Sequence, residues 1–201
     1  MEIYGLKLKS KNNANVFLCS TEFGEFELHS DVIVKNGICV GLFDDAKFEE
    51  CIQESSEIIA FNIATKYISS KLKTEQQIKD YLYKNNYHKQ TVDAVVCKMK
   101  EYKIIDDQMY AESYARSNPN FSKNKLKQKL FQSGVKSQIV DESLSEIDDV
   151  ESCYRNAEKF LRNKILNKET IDKLIRRLQG MGYNWDSIKE TLNKLKCKIE
   201  E

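Results

Sequence analysis

The sequence predicts a mainly α protein: three tandem three-helix repeats in an elongated, curved array, preceded by a small β-containing N-terminal region. Two observations carry the repeats and a third carries the β region. Apolar residues recur at a spacing of 48 positions, and helix start and stop signals recur in the same register. The opening thirty or so residues instead alternate polar and apolar, the period of a strand.

The apolar set of the first repeat is Ile78, Leu82, Tyr87, Val92, Val96 and Met99. A step of 48 reaches Leu126, Leu130, Val135, Val140, Leu144 and Ile147, and a second step reaches Leu174, Leu178, Tyr183, Ile188, Leu192 and Leu195. All eighteen positions are apolar in a chain that is only 41% apolar. Thr74, Ser122 and Thr170 recur where a helix begins, since a hydroxyl there accepts an orphan backbone N–H. Asn86, Gly134 and Gly182 recur where that helix ends, because Asn and Gly enter the left-handed conformation at least cost. Upstream of each unit stands a shorter helix with a small residue three before a large one: Ala64/Tyr67, Ala111/Tyr114 and Ala157/Phe160. Each unit has an apolar face too large to leave wet, which predicts stacking of neighbours.

In the N-terminal region, segments 3–8, 15–19 and 23–29 read as strands, and 31–35 as a short helix or strand ended by Asn36-Gly37. From Asp44 the period becomes helical, with Asp44 or Asp45 as N-cap. The expected divisions are 1–56 for the β-containing region ending in a helix, then repeats at 57–105, 106–152 and 153–201.

Charge follows the same division. Residues 1–60 hold five Lys/Arg against eleven Asp/Glu, and residues 61–201 hold 27 against 20. No apolar run approaches the ~20 residues of a membrane span, and the start lacks the apolar segment of a signal peptide. Six scattered cysteines without a CxxC pair fit a reduced, cytoplasmic protein. His29 and His88 stand apart from any ligand-like cluster, the glycines form no phosphate-cradling loop, and no nucleophile–base pair is legible. The expectation is a protein without metal, cofactor or catalytic residues.

Asp106 and Asp107 in IIDDQMYAESYAR (104–116) raise the question of a working carboxylate pair. Their place at the start of a helix predicts capping instead, with both charges favoured by the helix dipole. The same stretch, with KNKLKQKLFQSGV (123–135), resembles the central signature of the RecX family, regulators that inhibit the RecA recombinase; its structural residues here are Asp106, Asp107, Tyr110, Ala111, Gly134 and Gly182. ATKYISSKLKTEQQIKDYLYKNNY (64–87) resembles the family's first repeat, and residues 160–192 match more loosely. The resemblance covers about residues 60–197. It implies a nine-helix, three-repeat modulator lodged in the groove of the RecA–single-stranded DNA filament; an elongated monomer is the default expectation, which no residue pattern decides. There it would hinder extension, ATP turnover, strand exchange and co-protease action, and some members bind DNA directly. This chain departs from many relatives in carrying Lys71 and Lys73 where they have arginine, and NPNFSKNK where they have a glycine-containing turn near 120.

The charge layout agrees with a polyanionic or acidic partner. From Ser113 to Val140 there is no acid but six basic residues, Arg116, Lys123, Lys125, Lys127, Lys129 and Lys136; six acids follow in 141–151. A helical wheel with Leu126 and Leu130 inward turns Lys125 and Lys129 to solvent. The repeat carries them onto Lys173 and Arg177, with Arg162, Lys164 and Arg176 nearby. These residues, with Lys71 and Lys73, form the expected contact surface for RecA or DNA. Tyr81, Tyr83, Tyr87, Tyr110 and Tyr114 read as packing residues, and Trp185 as a stacking residue between repeats. A competing function is autonomous, non-sequence-specific DNA binding; a third is a scaffold that holds a peptide.

Overall fold

The computed structural model describes residues 1–10, 13–162, 164 and 167–197. The chain forms two compact units, Met1–Ile105 and Asp106–Glu201.

The first unit opens with β1 (Glu2–Ser10), β2 (Asn13–Thr21) and β3 (Gly24–His29), then α1 (Ser30–Asn36), β4 (Gly41–Leu42) and α2 (Asp45–Ile68). The strands make one antiparallel sheet in the order β3-β2-β1-β4. The expected strands are present, and 30–36 is a helix that ends at Gly37 in the left-handed region, φ 63°. Two-residue β4 carried no periodic signal of its own. Between the sheet and α1 and α2 lies a core of Ile3, Cys19, Leu28, Val32, Ile38, Phe48 and Cys51. Phe26 and Phe43 meet Phe48 edge-on at 5.6 and 6.1 Å.

Asp44 caps α2, its carboxylate accepting the Lys47 N–H at 2.8 Å. The helix runs unbroken across residues 56 and 57 and serves two cores. Phe48 and Cys51 belong to the sheet's core, whereas Ala60 and Ala64 pack with α3 (Glu75–Lys84) and α4 (Lys89–Glu101). Glu75, at the start of α3, takes Lys79 at 2.6 Å and Lys100 of α4 at 2.9 Å. The hydrogen bond from Lys79 and then that from Lys100 pull its carboxyl down to about 2, against an opposing desolvation. A carboxyl lowered in the folded state stabilises the fold above the unfolded pKa, and that gain fades as pH falls from about 4.5 toward 2. Urea midpoints of Glu75→Gln should therefore trail the parent at pH 6 and converge on it below about pH 2.5.

The second unit holds α5 (Asp107–Ser117), α6 (Lys123–Gln132), α7 (Ser137–Ser143), α8 (Asp149–Leu161), α9 (Lys168–Gly180) and α10 (Trp185–Cys197). The repeat is real in three dimensions. Of the eighteen apolar positions fifteen are buried, and Tyr87, Ile147 and Leu192 are half-buried. Leu82, Leu130 and Leu178 are each 0% exposed and lie in the core of their own repeat. Ala64, Ala111 and Ala157 are buried just as completely, but their helices are not the shorter ones expected: α2 has 24 residues and α5 has 11, against ten for α3 and α6.

The stop signals share one geometry. Asn86, Gly134 and Gly182 have φ of 63°, 82° and 89°. After each, Tyr87, Val135 or Tyr183 donates its N–H back to Leu82, Leu130 or Leu178, at 3.1–3.2 Å. This is the Schellman closure: the residue that accepts the bond is the apolar residue its donor packs beside. The start signals agree in two repeats. Thr74 caps α3 in a reciprocal capping box with Gln77, and Ser122 caps α6. The third departs, because Asn167 caps α9 and accepts the Thr170 N–H at 2.8 Å. Thr170 thus sits inside the first turn, and α9 has 13 residues against ten for α3 and α6.

Candidate functional site

Within the second unit the start of α6 meets the end of α9. Ser122 donates its N–H to the Met181 carbonyl at 3.0 Å and its hydroxyl to the Gly182 carbonyl at 2.6 Å. Lys125 donates Nζ to the Gly180 carbonyl at 2.5 Å, with its ammonium 4.5 Å from the Phe121 ring centroid. The N-terminal end of α6 therefore meets the C-terminal end of α9, and the partial charges of two such ends are opposite in sign. Asp149 of α8 adds a carboxylate, accepting the Lys123 N–H at 2.6 Å, while Lys123 Nζ donates to the Ser145 carbonyl at 3.3 Å.

This junction changes the reading of the basic run. Lys125, expected to face solvent, is half-buried and holds the end of α9. The helical wheel of α6 alone contains no information about a second helix end. Lys127 pairs with Asp141 at 2.5 Å and holds that carboxyl below its ordinary range, helped by Ser137. Arg116 lies 3.9 Å from Glu112, and Lys173 lies 2.6 Å from Glu169, whose carboxyl it lowers. Lys129 donates to Gln132 and has no acidic partner among the described residues. In the first unit Lys71 is exposed, and Lys73 sits 4.5 Å from the Tyr67 ring centroid. Tyr67 in turn stacks on Tyr81 at 4.0 Å, so these aromatics pack as expected. Tyr87 does too: burial pushes its hydroxyl up to about 12. Tyr83 and Trp185 do not, being 43% and 56% exposed, Trp185 at the first residue of α10.

Arg162, Lys164 and Arg177 come together around a cavity of about 380 Å³ that Lys159, Phe160, Asn120 and Asn156 complete. Lys164 Nζ lies 3.3 Å from the Phe160 ring centroid and the Arg177 guanidinium 5.8 Å from it. Asn156 is buried and donates to the Ser152 carbonyl at 2.9 Å and the Tyr183 hydroxyl at 3.0 Å. Tyr183 donates to the Asn120 carbonyl at 3.3 Å. Arg176 is exposed beside this group in sequence but does not line the cavity. Lys159, Asn120 and Asn156 escaped the sequence reading. The i, i+3 spacing of Asn156, Lys159 and Arg162 was the available signal, but Asn120 reaches the site only through the tertiary fold.

Similarity to known proteins bears on the whole chain. Residues 60–99 match the family model described as "RecX, first three-helix domain". A Regulatory protein RecX of Clostridium tetani is 29% identical over 203 residues, covering 96% of this chain and 94% of the relative. One from Clostridium botulinum (strain Alaska E43) is 30% identical over 196 residues, covering 92% and 91%. The chain belongs to the RecX family of regulatory proteins. Two solved RecX structures share the fold: one has TM-score 0.66 at 18% identity, covering 96% of this chain and 98% of that one. RecX from Lactobacillus salivarius has TM-score 0.62 at 23% identity, covering 71% and 97%.

The RecX signature now has physical content. Asp106 caps α5, accepting the Met109 N–H at 3.0 Å, and Asp107 stands in the first turn, so the aspartates start a helix. The Tyr110 hydroxyl lies 3.3 Å from Ser133 Oγ, and Ala111 is fully buried where α5 packs in the core of its repeat. Gly134 and Gly182 supply the left-handed helix ends. Among the described residues no helix is long and apolar enough to cross a membrane.

Proposed function

We propose that this RecX regulatory protein binds RecA–single-stranded DNA filaments and restrains recombinase, ATPase and co-protease activity. The observation that carries the reading is the match to RecX regulatory proteins over nine-tenths of the chain. Lys129, Arg162, Lys164 and Arg177, which have no acidic partner among the described residues, support a polyanionic target. Autonomous DNA reading by a helix in a groove is less well supported, because the start of α6 is occupied by the Met181 and Gly182 carbonyls.

Titrating the full chain into a single-strand-dependent RecA ATPase assay should lower turnover at substoichiometric ratios to nucleotide. Lys129→Ala/Arg177→Ala should weaken inhibition and reduce its salt slope by about one per lost phosphate contact. A mobility assay distinguishes the alternative: filament inhibition requires higher affinity for the RecA-coated strand than for bare DNA. Equal affinity for both, with no effect on ATP turnover, would refute the proposal.

A further inference from the structure

We propose that the cavity between α8 and α9 is a phosphate-binding site. Four cations converge there, Lys159 from α8, Arg162 and Lys164 from the segment after it, and Arg177 from α9; no acidic residue lines it. The acid-free lining is the first argument. Elsewhere in the second unit five basic side chains stand beside acids: Arg116 with Glu112, Lys127 with Asp141, Arg155 with Glu151, Lys173 with Glu169 and Lys194 with Glu190. Lys129 takes Gln132 instead. Among the described residues none of the four cavity cations has such a pair. Like charges gathered around one concavity raise the local potential, and an anion relieves it.

The second argument is preorganisation. Phe160 holds Lys164 and Arg177 over its ring, so both cations lose less freedom when a ligand arrives. The wall behind them is tied by buried hydrogen bonds: Asn156 to Ser152 and Tyr183, and Tyr183 to Asn120. A surface cluster of long side chains has no such frame.

The third argument selects the ligand. Two guanidinium forks and two ammonium groups suit a tetrahedral oxyanion with several acceptors better than one planar carboxylate. A cavity of about 380 Å³ has room for a phosphate and the atoms that carry it. The phosphate can come from a nucleic-acid backbone or from a free phosphate compound. The first source deepens the function proposed above, since it gives the filament's DNA a defined point of contact.

The test uses the full ¹⁵N-labelled chain, titrated with pyrophosphate and separately with oligothymidylate at constant ionic strength. The side-chain amides of Asn120 and Asn156 and the Arg162 and Arg177 Nε–H signals should shift and saturate, and chloride should not reproduce this. Arg177→Gln should weaken oligothymidylate binding about tenfold and lower its salt slope by about one. Phe160→Leu keeps every charge, and a loss of about threefold would show that the ring orders the cations. Arg162→Gln, at an exposed position, guards against a folding artefact in the Phe160 variant.

Saturation by pyrophosphate but not by oligothymidylate supports the site and assigns it to free phosphate compounds. Absence of shifts with both phosphate sources overturns the site, as does unchanged affinity in Arg162→Gln and Arg177→Gln. So does preferential binding of an acidic peptide. The two proposals fail separately: RecA inhibition without phosphate binding removes the site alone. Phosphate binding without RecA inhibition removes the filament reading alone.

Discussion

Leu130→Ala should lower stability by about 2–5 kcal/mol, read as a shifted urea midpoint with little change in slope. Leu130 is 0% exposed and shares its core with Ala111, Leu126, Val135, Val140 and Leu144. Truncation removes transfer energy and leaves a cavity that three short helices, held by end closures, cannot easily collapse. The residue also provides the carbonyl for the Val135 N–H, so a disturbance there reaches the helix end. Leu178→Ala should fall in the same range, because Leu178 has the same burial and accepts the equivalent bond from Tyr183. A cost below ~1 kcal/mol at either position would mean that these leucines are not central to their repeats.

Gly182→Ala should be more damaging than Gly37→Ala, the substitution at the left-handed end of α1. Gly182 adopts φ 89°, where a Cβ costs about 1–2 kcal/mol. It also lies against the start of α6. An added Cβ would come within 2.7 Å of Lys125 Cβ and 2.8 Å of Ser122 Oγ, neither of which is the free end of a flexible chain. Overpacking adds about 1–3 kcal/mol, and shifting Ser122 breaks its bonds to the Met181 and Gly182 carbonyls. The combined loss is about 2–5 kcal/mol. Gly37→Ala, at φ 63° with nothing within 4 Å of an added Cβ, is expected to lose mainly the conformational part. Urea denaturation of the two variants in parallel separates the contributions. Equal losses would show that the α6–α9 junction tolerates the extra carbon.

The junction marks where reading residues in order stops being sufficient. A leucine's burial at 82, 130 and 178 follows from neighbours three and four positions away and from a stop signal four or five residues on. The same holds for Asp106 as a cap and for the alternating strands, whose partners lie across short connections. Thr170 was misplaced by one turn because register alone cannot weigh it against Asn167, a side chain equally able to cap.

The site residues are less legible for a different reason. Lys125 and Lys129 are alike on a wheel, yet one holds a carbonyl 55 positions away and the other does not. Trp185 has an apolar ring that sequence logic sends inward, but the repeat's core is closed by Tyr183 and Ile188 without it.

Local order in the chain was thus enough for the helix triplets, their left-handed ends and the three long strands, since each rests on contacts within a few residues or between adjacent segments. The assignment of charge to structure or to surface came from the folded unit. A cation's role is set by what faces it, and here the facing groups arrive from other helices: Gly180 at Lys125, Asp141 at Lys127, and Phe160 beneath Lys164 and Arg177.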